Sequence, residues 1–197
     1  METKKEIRKR ILTIRDEIPA EDRKILSCKI KEQMLQSPCY RRTEVILAYV
    51  SYRSEVDTIE LIGQALSDGK RVFAPKVSGD EMEFWQIDSL DDLLSGYQGI
   101  MEPTESVSFP AYRKEHREGN VLMWMPGAVF DESCHRIGYG KGFYDRYLER
   151  IEKNMGNSSG LTTVALAYRC QVLKQIPFEP HDYRPDYLLT ECGLIFR

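Results

Sequence analysis

Residues 121–148 read VLMWMPGAVFDESCHRIGYGKGFYDRYL and carry the strongest indication of fold in this chain. The stretch opens with an apolar run, which predicts a buried strand that ends before Pro126 and Gly127. It closes in a predicted helix over residues 143–153. Three glycines stand at alternate positions just before that helix: Gly138, Gly140 and Gly142. A buried strand that passes through a glycine-rich turn into a helix is typical of an α/β protein.

The glycine-rich turn has the composition of an anion-binding loop. Glycines at alternate positions let the backbone approach a ligand closely and expose successive N–H groups, and the helix behind them adds roughly half a positive charge. The cations Arg136, Lys141 and Arg146 fit a polyphosphate better than a single carboxylate. The spacing matches neither the P-loop pattern nor the GxGxxG dinucleotide fingerprint. The turn therefore predicts a phosphate site outside those two families.

Asp145 falls in the first turn of the helix that follows the glycines. One interpretation is purely structural, because a carboxylate near a helix N-terminus is stabilised by the helix dipole. The other is metal binding, because Mg²⁺ is usually held by one or two carboxylates together with phosphate oxygens. The residues alone leave both interpretations open.

Upstream, the run VILAYV over residues 45–50 predicts a strand covered on both faces. A helix is predicted over residues 58–67, with a capping box at Asp57 at its start and Gly69 after its end. A strand predicted over residues 71–74 completes a βαβ unit. Further strands are predicted over residues 82–87, 121–125, 162–167 and 187–190. These elements predict a three-layer α/β fold with a mostly parallel sheet flanked by helices, in a single domain over residues 1–197.

Two helices are predicted before the first strand, over residues 4–18 and 20–36. In the first of them Ile7, Ile11, Ile14 and Ile18 recur at steps of four, three and four, which predicts one buried apolar stripe. Pro38 is expected to end the second helix.

Composition excludes several classes of protein. Apolar residues make up 42% and charged residues 30% of the 197 residues, as in folded soluble proteins. The longest apolar run is far shorter than the ~20 residues of a membrane span, and a net charge of −3 argues against a nucleic-acid-binding surface. The five cysteines form no CxxC pair, which favours reduced thiols. We therefore predict a cytoplasmic protein, a monomer, with no nucleic-acid or membrane partner.

Residues 121–148 resemble the signature of the 5-formyltetrahydrofolate cyclo-ligase family, also called methenyltetrahydrofolate synthetases. The resemblance lies in the segments PGAVFD and RIGYGKGFYDRYL. Weaker matches follow the same order over nearly the whole chain: KKEIR, SYRSEVDT, RVFAPKV and PHDYRPDYLLTE. The resemblance implies an α/β fold and a ligase that forms a carbon–nitrogen bond. Its reaction would convert 5-formyltetrahydrofolate and ATP, with Mg²⁺, into 5,10-methenyltetrahydrofolate, ADP and phosphate, through phosphorylation of the formyl oxygen and ring closure by nitrogen 10.

The resemblance also implies roles for individual residues. ATP would contact the first helix and the turn, through Lys4, Arg8, Arg136, Ile137, Gly138, Tyr139, Gly140, Lys141, Gly142, Phe143 and Tyr144. The folate, a small-molecule substrate, would contact Val50, Glu55, Tyr139, Gly140, Lys141, Gly142 and Phe143. Arg136 and Lys141 would be catalytic, and Asp145 and Asp182 would hold Mg²⁺. Without the resemblance, a surface position would be the expectation for Glu55.

The chain departs from the family pattern at two places. Cys134 and His135 stand where relatives usually have a glycine before Arg136, and Phe143 replaces a commoner tyrosine, which leaves a ring without a hydroxyl. Two other functions fit the same residues: a different ATP-dependent phosphotransferase with the same phosphate site, and a catalytically silent protein that binds folate or nucleotide.

Overall fold

A computed structural model describes residues 2–104, 112, 120–155 and 160–196. The elements follow in the order α1 (Lys4–Asp16), α2 (Ala20–Gln36), α3 (Pro38–Arg42), β1 (Thr43–Leu47), α4 (Ile59–Ser67), β2 (Arg71–Ser78), β3 (Glu81–Ile87), β4 (Leu93–Ser95), β5 (Met101–Pro103), β6 (Asn120–Met125), β7 (Val129–Asp131), β8 (Arg136–Ile137), α5 (Phe143–Met155), β9 (Leu161–Leu166), β10 (Val172–Leu173), β11 (Tyr187–Thr190) and β12 (Gly193–Phe196). Within these ranges no helix combines the length and the apolar character needed to cross a membrane.

The main sheet has seven strands in the order β12-β11-β9-β6-β1-β2-β3. Strands β11, β9, β6, β1 and β2 are parallel to one another, whereas β12 and β3 run antiparallel at the two edges. The predicted mostly parallel sheet is confirmed. From β1 the chain builds outward to β2 and β3, then returns to β6 on the other side of β1. The crevice at the carboxyl ends of β1 and β6 is therefore the switch point at which open α/β sheets bind ligands.

Alternate residues of the central strand face two different apolar clusters. Ile46 joins the cluster that includes residues of α2 and α4, whereas Val45 and Leu47 join the cluster that includes Tyr147 and Leu148 of α5. The period of two in β1 thus places helices on both faces of the sheet. This arrangement confirms the predicted three-layer fold.

A smaller three-stranded sheet, β10-β7-β8, lies beside the carboxyl end of β6. The helix α1 packs on it, because Ile7 and Ile11 form a third apolar cluster with residues around β7 and β8 that include Val129 and Ile137. A capping box between Thr3 and Glu6 closes the N-terminus of α1. The N-terminal helix is in this way fixed to the segment that leads into the glycine-rich turn.

The predicted apolar stripe of α1 is partly wrong. Ile14 is 39% exposed, whereas Arg15 is only 4% exposed and follows Ile11 by four residues. The helix ends at Asp16, so Ile18 lies outside it. The buried face is thus formed by Ile7, Ile11 and Arg15, with a charged residue in the third position.

Several element boundaries also differ from the predictions, and three of these differences concern the end of β1, the end of α2 and the start of α4. β1 ends at Leu47, because the chain leaves the sheet there, at the switch point. The following residues through Val50 are still buried. Pro38 follows the end of α2 and is also the first residue of the short helix α3. At this position the missing N–H of proline removes no hydrogen bond of the helix. Asp57 accepts a hydrogen bond from the N–H of Ile59 at 2.9 Å, and Thr58 is the N-cap of α4, so the predicted capping box is wrong.

Candidate active site

A cavity of about 640 Å³ opens at the carboxyl ends of β1 and β6, a volume in the usual range for ligand sites. It is lined by one face of α1, by the segments that follow β1 and β4, and by the glycine-rich turn before α5. Every residue for which the sequence predicted a role lines this cavity: Lys4, Arg8, Val50, Glu55, Arg136, Ile137, Gly138, Tyr139, Gly140, Lys141, Gly142, Phe143, Tyr144, Asp145 and Asp182.

The turn before β8 is held by Asp131, which is almost completely buried. Its Oδ1 atom accepts hydrogen bonds from the N–H groups of Ser133 at 3.0 Å and His135 at 2.9 Å. Cys134 has a φ of +64°, the left-handed conformation that glycine adopts most easily. Cys134 therefore adopts a backbone conformation typical of glycine while its side chain is buried.

The glycine-rich turn requires glycine at two positions. Gly140 and Gly142 have φ values of +98° and +66°, in the region that disfavours other residues. A Cβ atom on Gly140 would lie 3.2 Å from Nη1 of Arg8, and one on Gly142 would lie 2.9 Å from Nη1 of Arg146. The arginines thus pack directly on the backbone of the turn, where α5 begins.

The helix α1 contributes two cations to the cavity. Nη1 of Arg8 donates to the carbonyl oxygen of Gly138 at 3.2 Å, and Nζ of Lys4 lies 2.5 Å from Oδ2 of Asp182 and 3.3 Å from Oε1 of Glu179. Lys4 and Arg8 lie on a face of α1 that lines the cavity and continues to Leu12 and Arg15.

Asp145 forms an ion pair with Arg136 in addition to its position at the start of α5. Nη2 of Arg136 lies 2.6 Å from Oδ1 of Asp145, and the same oxygen accepts from the N–H of Tyr183 at 3.1 Å. Because Asp182 precedes Tyr183, both predicted metal ligands lie in one corner of the cavity. Among the described residues no group of three or more metal-binding side chains occurs, so these two carboxylates could supply only part of a coordination sphere.

Arg136 is buried and held by the protein on two sides. Besides Asp145, it donates through Nη1 to the carbonyl oxygen of Pro126 at 3.3 Å. Its Nε atom is buried and has no hydrogen-bond partner within the described ranges. Lys141, by contrast, is exposed at the cavity, and its carbonyl oxygen accepts from Arg146 at 2.7 Å.

Glu55 lies inside the cavity rather than on the surface. Its Oε2 atom accepts from the N–H of Tyr52 at 2.8 Å, and the phenol of Tyr139, whose hydroxyl donates to the carbonyl oxygen of Gly127 at 3.4 Å, lies near it. Burial raises the pKa of Glu55 above its ordinary value, while the phenol of Tyr139, the N–H of Tyr52 and the charge of Arg15 act in the opposite direction. The carboxylate is thus the acceptor group on this side of the cavity.

The sequence predictions missed several cavity residues. Arg15 donates through Nη1 to the hydroxyl of Tyr139 at 2.6 Å, and the hydroxyl of Tyr52 donates to the carbonyl oxygen of Gln98 at 2.9 Å. A signal for Arg15 was present, because it continues the four-residue spacing of Ile7 and Ile11. No pattern in the sequence indicates the hydrogen bond between Tyr52 and Gln98, because it joins two loops that are far apart in the chain.

Comparisons with known proteins relate nearly the whole chain to one enzyme family. A model of the 5-formyltetrahydrofolate cyclo-ligase family matches residues 1–191. A probable 5-formyltetrahydrofolate cyclo-ligase from Caenorhabditis elegans is 28% identical, with 96% of this chain and 93% of that protein covered. Another, from Schizosaccharomyces pombe, is 30% identical over 83% of each.

Two solved structures share the fold. The NMR structure of Aquifex aeolicus 5,10-methenyltetrahydrofolate synthetase has a TM-score of 0.80 and 31% identity, and the match covers 98% of this chain and 92% of that one. The synthetase from Mycoplasma pneumoniae has a TM-score of 0.72 at 21% identity, over 96% and 99% of the two chains, which is a likeness of fold. Because the family model matches residues 1–191 and the Aquifex aeolicus synthetase is 31% identical over 98% of this chain, the chain belongs to the 5-formyltetrahydrofolate cyclo-ligase family.

Proposed function

We propose that the chain converts 5-formyltetrahydrofolate and ATP, with Mg²⁺, into 5,10-methenyltetrahydrofolate, ADP and phosphate. The observation that carries the proposal is that the cation-lined glycine-rich turn and the half-buried carboxylate of Glu55 line one cavity. The names of the relatives support cyclo-ligase activity. The nucleotide, the metal and the order of steps are those that the resemblance to the family implies, and the chemistry of the cavity residues is compatible with them.

The nucleotide would bind at the turn. Backbone N–H groups between Gly138 and Tyr144, together with the N-terminus of α5, form an arrangement that favours phosphate oxygens. Lys4, Arg8 and Lys141 supply positive charge at the same cavity. The buried Nε atom of Arg136, which has no partner among the described residues, would gain one from a phosphate oxygen.

The folate would bind on the Glu55 side. A reduced pterin carries amino and ring N–H donors, for which an ionised carboxylate is a suitable acceptor. Val50 is buried at the start of the same segment and offers an apolar contact. Tyr139 belongs to the glycine-rich turn and lines the same cavity as Glu55, so it lies between the proposed nucleotide and folate sites.

The reaction requires that the formyl oxygen become a leaving group. Attack of that oxygen on the γ-phosphorus releases ADP and leaves a phosphate ester on the formyl carbon. Nitrogen 10 then attacks this carbon, its proton is lost, and the carbon–oxygen bond breaks with release of phosphate. Phosphoryl transfer asks mainly for alignment and charge stabilisation, which Arg136 and Lys141 would provide for the oxygens of the transferred group.

Asp145 and Asp182 fit a Mg²⁺ ion in the number and type of their donors, because such ions usually keep one or two protein carboxylates and take the rest from phosphates and water. When bound, Mg²⁺ supplies charge neutralisation of the phosphate oxygens. Both carboxylates contact cations in this structure, Arg136 and Lys4 respectively. These cations would then balance the charge of the carboxylates in the absence of nucleotide.

The proposal is tested by following the ultraviolet absorbance of the methenyl product with and without ATP. We expect product only when 5-formyltetrahydrofolate, ATP and Mg²⁺ are all present, with one ADP released for each product. ADP release that does not require the folate would instead indicate a different phosphotransferase. Binding of both ligands without turnover would indicate a silent binding protein. The monomeric state, the cytoplasmic location and the single domain stay predictions.

A further inference from the structure

Glu102 is the most deeply buried carboxylate among the described residues that line the cavity. It belongs to β5 and is only 8% exposed, whereas the other acids of the cavity wall are half-buried or exposed. Gly96 makes room for it, because a Cβ atom at residue 96 would collide with Oε2 of Glu102. A buried carboxylate costs free energy unless hydrogen bonds or an opposite charge compensate it. The burial of Glu102 therefore requires an explanation in the groups around it.

The protein compensates the carboxylate of Glu102 only in part. Its Oε1 atom accepts from the N–H of Val77 at 3.3 Å, which is longer than most hydrogen bonds of this type. Its Oε2 atom has no hydrogen-bond partner among the described residues, and no cation of these ranges forms an ion pair with it. By contrast, Arg136 and Lys4 each pair with an acid of the cavity wall. Glu102 is thus a buried carboxylate at the cavity without a cation beside it in the described part of the chain.

The hairpin of β4 and β5, which carries Glu102, is attached to the folate side of the cavity. The hydroxyl of Tyr52 donates to the carbonyl oxygen of Gln98, in the loop between β4 and β5, at 2.9 Å. The N–H of the same Tyr52 donates to the carboxylate of Glu55 at 2.8 Å. Tyr52 therefore holds the loop before Glu102 and the proposed pterin-binding carboxylate in one arrangement.

The opposite neighbour of Glu102 is β2, which leads to the glycine-rich turn. Val77, the hydrogen-bond donor to Glu102, belongs to β2 and lines the cavity. In the turn between β2 and β3, the carbonyl oxygen of Asp80 accepts from Nη2 of Arg146 at 2.8 Å. Nη1 of Arg146 donates to the carbonyl oxygen of Lys141 at 2.7 Å. Glu102 therefore lies on a wall of the cavity that joins the folate side to the proposed phosphate site.

The proposed reaction creates a positive charge on the folate between these two sites. When the formyl oxygen bonds to the γ-phosphorus and ADP leaves, nitrogen 5 shares its electron pair with the formyl carbon and becomes positive. The charge is removed when nitrogen 10 adds to this carbon and loses its proton. It returns when the carbon–oxygen bond breaks and its electron pair leaves with the phosphate. The methenyl product is thus a cation, with its charge shared by nitrogens 5 and 10, whereas the formyl group of the substrate is neutral.

We propose that Glu102 stabilises this positive charge and so distinguishes the cationic product from the neutral substrate. The inference rests on the proposed function and extends it, because Glu55 would accept from neutral donors of the pterin whereas Glu102 would supply a charge. A fixed carboxylate in a cavity of low dielectric interacts strongly with a charge that develops beside it. Since the neutral substrate lacks this interaction, Glu102 should favour ring closure more than substrate binding.

The test is Glu102→Gln, which keeps a side-chain oxygen for the N–H of Val77 and removes the charge. The dissociation constants of 5-formyltetrahydrofolate and 5,10-methenyltetrahydrofolate are measured without ATP, and the methenyl absorbance is followed in a single turnover with Mg²⁺ and ATP. The variant should bind the methenyl product about 10-fold more weakly and form it about 10-fold more slowly, as expected for loss of a nearby opposite charge. Its dissociation constant for 5-formyltetrahydrofolate should change by no more than about twofold, because the formyl group carries no charge.

Glu81→Gln is the matched control, since Glu81 is an exposed acid of β3 outside the cavity wall, and it should change none of these values. Thermal unfolding identifies loss of folding. If Glu102→Gln does not fold, the wild-type chain provides the test, because it should bind the methenyl cation about 10-fold more tightly than neutral 5,10-methylenetetrahydrofolate, which has the same ring.

Three results would overturn the inference and leave the proposed function intact. They are an unchanged affinity of Glu102→Gln for the methenyl product, an equal loss of affinity for substrate and product, and equal wild-type affinities for the cationic and the neutral ring. An equal loss for substrate and product would show that Glu102 contacts uncharged donors of the pterin. A wild-type chain that forms no methenyl product would overturn the proposed function as well.

Discussion

The carboxylate of Asp145 has two structural tasks, which makes the nature of a substitution there important. It pairs with Arg136 at 2.6 Å and accepts from the N–H of Tyr183 at 3.1 Å through the same oxygen. An asparagine would retain an oxygen for both hydrogen bonds but would lose the charge. A change at this position can therefore separate the metal interpretation from the structural one.

We predict that Asp145→Asn raises the Mg²⁺ concentration for half-maximal activity roughly 10-fold or more, the scale typical of losses at metal sites. The matched control is Asp22→Asn, since Asp22 is an exposed acid in the first turn of α2 and tests the helix-dipole effect alone. It should cost stability of about 0.3–1 kcal/mol without a change in Mg²⁺ dependence. Titration of turnover with Mg²⁺ distinguishes the two, and equal Mg²⁺ curves for wild type and Asp145→Asn would remove the metal assignment.

A substitution of Lys141 tests the proposed role of the glycine-rich turn with less effect on the fold than a substitution of Arg136. Removal of Arg136 would leave Asp145 without its cation and would affect the fold, whereas Lys141 is exposed at the cavity. Lys141→Ala should raise KM for ATP or lower kcat about 10-fold, because a charge-assisted contact to phosphate is worth about 1.5–3 kcal/mol. Lys9→Ala on the exposed side of α1 should change neither, and similar losses in both variants would contradict the assignment.

At the level of elements, the glycine turn requires a backbone that only glycine adopts without strain. Gly140→Ala should lower stability by about 1–2 kcal/mol through its positive φ and should also displace Arg8, whose Nη1 atom would lie 3.2 Å from the new Cβ. We expect KM for ATP to rise about 10-fold. Gly69→Ala is the control, because Gly69 has a φ of +73° but no neighbour within 4 Å of a Cβ. It should show a similar loss in thermal unfolding with unchanged KM, and parallel kinetics in the two variants would count against a role of the turn in binding.

From the residues alone, sequence reasoning predicted only those parts of the site that are local in the chain. Gly140, Lys141 and Asp145 were singled out because the glycine-rich turn and the first turn of α5 are contiguous, whereas Lys4 and Arg8 were assigned only through the resemblance to the family. Arg15 was missed because isoleucines at other positions offered a more conventional apolar stripe. The loop contact between Tyr52 and Gln98 depends on how the segments after β1 and β4 meet in space, which spacing along the chain does not encode.

At the level of the whole molecule, three apolar clusters stabilise different parts of the fold, and one of them also positions a helix at the cavity. Two cover the faces of the main sheet, and the third fixes α1 to the small sheet that leads into the turn. Lys4, Arg8 and Arg15 reach the cavity only if α1 is docked. The third cluster should therefore influence nucleotide binding through the position of α1, although none of its buried side chains needs to touch a reacting atom.

Ile11→Ala and Ile30→Ala test this division. Both isoleucines are at most 1% exposed, Ile11 in the third cluster and Ile30 in the cluster of α2 and α4. Each truncation should cost about 2–5 kcal/mol through lost contacts and a residual cavity. Only Ile11→Ala should raise KM for ATP, about fivefold, because a loosened α1 must be docked again when the nucleotide binds. Thermal unfolding and steady-state kinetics of the two variants provide the comparison. If KM for ATP rises equally in both variants, the effect comes from lower stability of the whole protein, and the packing of α1 has no separate influence on the phosphate site.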